Sequence, residues 1–261
     1  MPLRKSKHIS AKDWRHLKLQ ESRLVRSRRN ESTALLNRVL AEKVPGKLKG
    51  TLDAAFAKAF DLVFSKGTYF IEKTYSKEKK REEFKNRTKS HSAINGKKSP
   101  HRMHLKVAKT SSTGHMLFAG VEGVGLGLLG IGIPDIPLFS AVLLRSIYNI
   151  ATHFGFSYES EKEKDFILCL IAASLSKGDE FVAKNNEINE WIDGGTTPPW
   201  EHKVLLRNAA EALSDYLLYA KFVQGIPIVG ALGGLSDSVC LGRVTKYSRI
   251  KYQRRYMVQG K

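Results

Sequence analysis

Apolar positions along this chain recur at spacings of three and four, and no stretch alternates long enough to predict a strand. Residues 11–44 read as helix with a partial apolar stripe: Trp14, Leu17, Leu24, Val25, Leu35, Leu36, Val39 and Leu40. Its middle is almost wholly polar, so a break is expected near Asn30, and Pro45-Gly46 ends it. A cleaner amphipathic helix follows from about Leu48 to Lys73, with Leu52, Ala55, Phe56, Ala59, Phe60, Val63 and Phe64 on one face and a bend at Gly67. Residues 73–89 form a dense charge run and 90–100 a loop.

The apolar heart opens near Met116 and is rich in glycine up to Gly132. Ile133-Pro134-Asp135-Ile136-Pro137 breaks it. A helix is expected from Asp135, as N-cap, to His153, with Gly155 as its stop. Another opens at Ser157, carries Glu159, Glu161 and Glu163 toward the positive end of its dipole, and runs to Lys177. Further helices are expected over 179–192, 200–222 and about 230–257, separated by Gly/Pro breaks at 193–199 and 225–230. The fold expected is all-α: a multi-helix bundle with two apolar helix pairs broken by Gly and Pro. A basic helical arm over 1–49 would precede a main domain over 50–258 that ends in a basic tail.

Charge changes this picture more than composition does. The 261 residues carry a net charge of +19. Residues 1–115 hold 29 Lys/Arg against 10 Asp/Glu, whereas 116–261 hold 15 of each. Within the neutral half, residues 243–261 carry seven basic side chains and no acidic one. Such asymmetry predicts a polyanionic partner: an anionic membrane face or membrane protein, with nucleic acid as the alternative. The anion-binding candidates are Arg23, Arg26, Arg28, Arg29, Lys79, Lys80, Arg81, Arg254 and Arg255. Few aromatics interleave with them, which argues against a stacking platform for single strands. The mean hydropathy of −0.30 excludes a polytopic membrane protein. Two cysteines, Cys169 and Cys240, exclude a disulfide framework. The polar, basic start lacks an apolar leader, so a cytoplasmic protein peripheral to the inner membrane face is expected.

The glycine-rich segment carries the second set of candidates. Gly123 and Gly127 form a G-x-x-x-G pair that Gly130 extends, a pattern that lets helix backbones approach closely. The stretch from Gly123 to Pro134 is shorter than the roughly 20 residues a span requires. It suits a hairpin contacting lipid or a ligand, built from Gly123, Gly127, Gly130, Ile133, Pro134, Asp135, Ile136 and Pro137, with Ile226, Pro227 and Gly230 from the second break. Glu122 and Arg145, isolated in this apolar stretch, are expected to form a buried pair. A hydrolase using Glu122 or Asp135 is a third reading. His101 and His104 lack a nearby carboxylate, and no nucleophile elbow or P-loop occurs, so no catalytic residue, metal or cofactor is expected.

Glu122, the glycines to Gly132, the 133–137 break, Leu144-Arg145-Ser146-Ile147-Tyr148-Asn149-Ile150-Ala151, Phe154-Gly155-Phe156 and Ile226-Pro227-Ile228-Val229-Gly230-Ala231 follow one another in an order that resembles the EcsC family. The resemblance covers roughly residues 50–258. It implies a bacterial accessory protein of the kind encoded beside an ABC exporter, with no established catalytic residue to carry over. The expected function is non-enzymatic and peripheral to the membrane.

Overall fold

The computed structural model describes residues 10–67, 135–195, 200–224 and 235–259, the side chains at 135, 138, 221–224 and 235–238 excepted. These residues form eight helices: α1 (Ala11–Arg29), α2 (Thr33–Lys43), α3 (Gly46–Lys66), α4 (Asp135–His153), α5 (Glu161–Leu175), α6 (Gly178–Gly194), α7 (His202–Gln224) and α8 (Leu235–Gln259). No strand occurs among the described residues.

Local chemistry explains the starts. Ser10 caps α1 in a reciprocal box: its hydroxyl accepts the Asp13 amide at 3.2 Å, and its own amide donates to Asp13 Oδ2 at 3.0 Å. Ser32 and Ser160 cap α2 and α5 by one bond each, their hydroxyls accepting the amides of Leu35 and Glu163. The expected break near Asn30 is the α1–α2 turn. The helix expected to open at Ser157 begins one turn later, because Ser160 supplies the cap. Gly178 starts α6 at φ +58°, in the left-handed region, where a β-carbon would meet Thr33 and the Glu31 carbonyl.

Helix α5 is the centre. Phe166, Ile167, Leu168, Leu170, Ile171 and Ala173 are all buried, on every side of the helix, and α6, α7 and α8 pack around it. Helix α3 lays the stripe read from the sequence, Leu52 through Val63, against α4 and α7. The amino-terminal segment set apart by its charge is packed on this body. Leu17 and Leu24 are buried, α1 lies on α6 and α8, and α2 lies on α7. Lys49 at the start of α3 reaches Asp215 of α7 at 2.6 Å and Asp53 at 3.2 Å. No helix among the described residues is long and apolar enough to cross a membrane.

Candidate functional site

The basic tail turns inward. Helix α8 carries Arg243, Lys251, Arg254 and Arg255, and each meets an acid from earlier in the chain. Arg255 holds both oxygens of Glu163, at 2.9 and 2.7 Å, and lies over the rings of Phe156 and Phe166 at 4.4 and 4.8 Å. Tyr252 Oη donates to the same carboxylate at 2.7 Å. Arg254 bridges Glu21 at 2.8 Å and Asp193 at 2.5 Å. Arg243 reaches Glu31 at 2.6 Å and donates to the Ser174 carbonyl at 2.9 Å, which closes the end of α5.

Beneath α1, the fully buried Lys251 ammonium donates to Glu21 and, at 2.6 Å, to Asn189 Oδ1. Burial pulls Lys251 down to about 8, against the opposing pull of Glu21. Burial pushes Glu21 the other way, but Lys251 and Arg254 outweigh it and hold the carboxyl below its usual range.

Three of the candidate anion-binding residues are thus engaged by carboxylates within the protein. Arg254 and Arg255 hold the acids just named. Arg28 is buried too, with its guanidinium 3.2 Å from Glu31. Arg23, Arg26 and Arg29 remain exposed. Lys12, Arg15, Arg23 and Arg26 stand with Leu19 along the outward ridge of α1, at spacings of three and four residues, opposite the buried Leu17 and Leu24. Leu19 is 48% exposed. The acids of this segment at positions 21 and 31 are consumed by α8, so the ridge cations are left facing solvent.

One flank of the ridge descends into an open groove of about 620 Å³ between α1 and α6. Lys18, Arg26 and Arg29 line the α1 wall, and Asn185, Asn186 and Asn189 the α6 wall. Arg26 and Arg29 are among the candidates legible in the sequence; Lys18 and the asparagines are not. A signal existed: three asparagines within five positions of a helix are a poor choice for helix propensity alone.

Other candidates fall elsewhere. Ile136 is 1% exposed and belongs to the core, not to a lipid-facing surface, and Pro137 is half-buried. Arg145 is exposed on α4, so the burial expected of it does not occur, because α4 turns that face to solvent. Gly123, Gly127, Gly130, Glu122, Ile133, Pro134, Ile226, Pro227, Gly230, Lys79, Lys80, Arg81, His101 and His104 lie outside the described residues, as does the side chain of Asp135. His202 Nδ1 sits 2.5 Å from Asp165, joining α7 to α5, with the Phe64 ring edge-on beside it. Burial pushes the Cys169 thiol up to about 12, which makes it a packing residue and a poor nucleophile. No cluster of three potential metal ligands occurs among the described residues.

No solved structure matches the chain. Among curated proteins, Protein EcsC of Bacillus subtilis (strain 168) is 25% identical over 147 residues, which cover 55% of this chain and 60% of that protein. The alignment therefore spans less than two thirds of that relative's length. The model of the EcsC protein family matches residues 10–257, nearly the whole sequence, so the chain belongs to the EcsC protein family.

Proposed function

We propose that this EcsC-family chain is a non-enzymatic accessory protein that docks on an anionic membrane surface through the outward ridge of α1. The observation that carries the reading is the ridge itself: Lys12, Arg15, Arg23 and Arg26 around the exposed Leu19 on a helix whose opposite face is anchored in the core. Four such cations near an anionic bilayer supply about 4 kcal/mol, at about 1 kcal/mol each. Leu19 gives the ridge an apolar tip that can enter the interface. That tip favours a membrane over nucleic acid, for which the exposed ridge offers cations and no aromatic stacking surface. An accessory role beside an exporter, which the family resemblance implies, fits a protein held at the membrane face.

Co-sedimentation with neutral and anionic vesicles across salt, with duplex DNA as competitor, tests the reading. Expected are binding to anionic vesicles only, release by salt, retention against DNA, and loss in the variant carrying Lys12→Gln, Arg15→Gln, Arg23→Gln and Arg26→Gln. Displacement by DNA would replace the reading with a nucleic-acid one. Absence of vesicle binding at low salt would remove it.

A further inference from the structure

We infer that the groove between α1 and α6 is a binding site for a phosphate monoester. The inference deepens the membrane reading and rests on it only for the source of the ester, a lipid headgroup.

Lys18, Arg26 and Arg29 bring three cations to the α1 wall. On the α6 wall, Asn185 is 4% exposed and accepts the Tyr247 hydroxyl at 3.3 Å through its carbonyl oxygen. Its NH2 group has no protein partner among the described residues and is left to the groove. Asn189 is engaged at both ends: its oxygen accepts from Lys251, which can only donate, and its NH2 group is hydrogen-bonded to Glu21, so it leaves the groove no free group. Asn186 is exposed at the rim. The single carboxylate in the lining, Glu21, is occupied by Lys251 and Arg254 from beneath. At the outer edge, Arg29 lies 3.6 Å from Asp179, a pair exposed on both sides.

The groove therefore offers cationic and amide N–H groups, while its carboxylate and two of its three α6 amide oxygens are already committed. A metal ion finds no free carboxylate there. A dianionic phosphate, with three terminal oxygens that each accept several hydrogen bonds, matches this donor set better than a singly charged diester. The volume of about 620 Å³ is within the usual range for small-ligand sites and exceeds what bare phosphate needs, which leaves room for a glycerol-like substituent.

Ser22 lines the α1 wall between the cations and is exposed, so Ser22→Phe fills the groove without altering charge. Asn186→Phe does the same from α6. The experiment compares binding of the full chain to phosphatidylcholine vesicles carrying phosphatidic acid, a monoester, or phosphatidylglycerol, a diester, at matched surface charge. Glycerol 3-phosphate in solution is the soluble probe. The expected result is a preference for phosphatidic acid of about tenfold that both variants abolish, with binding to phosphatidylglycerol retained. Equal binding of the two lipids by the unmodified chain, or a preference that survives in both variants, overturns the inference and leaves membrane docking standing. Saturable binding of glycerol 3-phosphate that Ser22→Phe removes, without vesicle binding, keeps the groove and overturns membrane docking. No binding of any probe overturns both.

Discussion

Replacing Arg255 by alanine tests whether the basic tail is scaffold or binding surface. Arg255 is 22% exposed at its side chain, and the Glu163 it pairs with is 5% exposed. Removing one partner of a buried ion pair costs about 3–5 kcal/mol, because the remaining charge stays desolvated and uncompensated. Tyr252 Oη still donates to Glu163 in the variant, and the exposed edge of the Arg255 site admits water, so the low end, about 3 kcal/mol, is expected. The guanidinium's stacking on Phe156 and Phe166 is lost as well, which argues against a smaller figure. For a chain of this size about 3 kcal/mol lowers Tm by roughly 6–12 °C. Urea unfolding followed by far-UV circular dichroism reads it directly. Adding Glu163→Gln removes the stranded charge and keeps an acceptor for Tyr252, so the double variant should be more stable than Arg255→Ala alone, a coupling of about 1–3 kcal/mol. The reasoning is refuted if Arg255→Ala leaves stability unchanged and weakens binding to anionic vesicles instead.

Three further outcomes are expected. Gly178→Ala should destabilise by about 1–2 kcal/mol, since the backbone is left-handed there and the added Cβ would sit 3.0 Å from Thr33 Cγ2; an unchanged urea midpoint would contradict this. Cys169, with its thiol pushed up to about 12 by burial, should resist iodoacetamide in the native protein and react once unfolded, whereas labelling at the rate of a free thiol would show the burial to be wrong. Lys251 is held down at about 8 against an ordinary 10.5, so between those values the unfolded chain binds more protons and stability rises with pH. That gain should appear between about pH 8 and 10 in the wild type and vanish in Lys251→Met, where Glu21, Arg254 and Asp193 remain. Above pH 10 the buried Tyr247 and Tyr252, both held well above their ordinary value, reverse the trend. A decline across pH 8–10 in the wild type relative to the variant would refute the assignment.

The all-helical class, the helix order and most of the helix ends are legible in the amino-acid order alone, because these are local matters. Spacings of three and four, serine caps and Gly/Pro stops act within a few residues of where they stand. The stripe of α3 was legible in this way, and so was the near-continuous apolar run of α5. The EcsC resemblance was legible too, from the order of residues between Glu122 and Ala231. The destination of each charge was not. Arg23 and Arg28 read alike in the sequence, yet one faces solvent and the other is buried, because the second lies on the side of α1 turned toward the body. Four of the seven bases of the tail, Arg243, Lys251, Arg254 and Arg255, looked like part of a surface for anions until α8 was placed beside Glu21, Glu31, Glu163 and Asp193, partners separated from it by 61 to 233 positions. Pairing over such separations depends on which helix faces pack together, and that is decided by burial of the whole core and not by any local pattern. Tertiary structure thus drew Arg243, Lys251, Arg254 and Arg255 inward and left Lys12, Arg15, Arg23 and Arg26 of α1 outward. It also brought Lys18, Arg26 and Arg29 against three asparagines that stand more than 150 positions away.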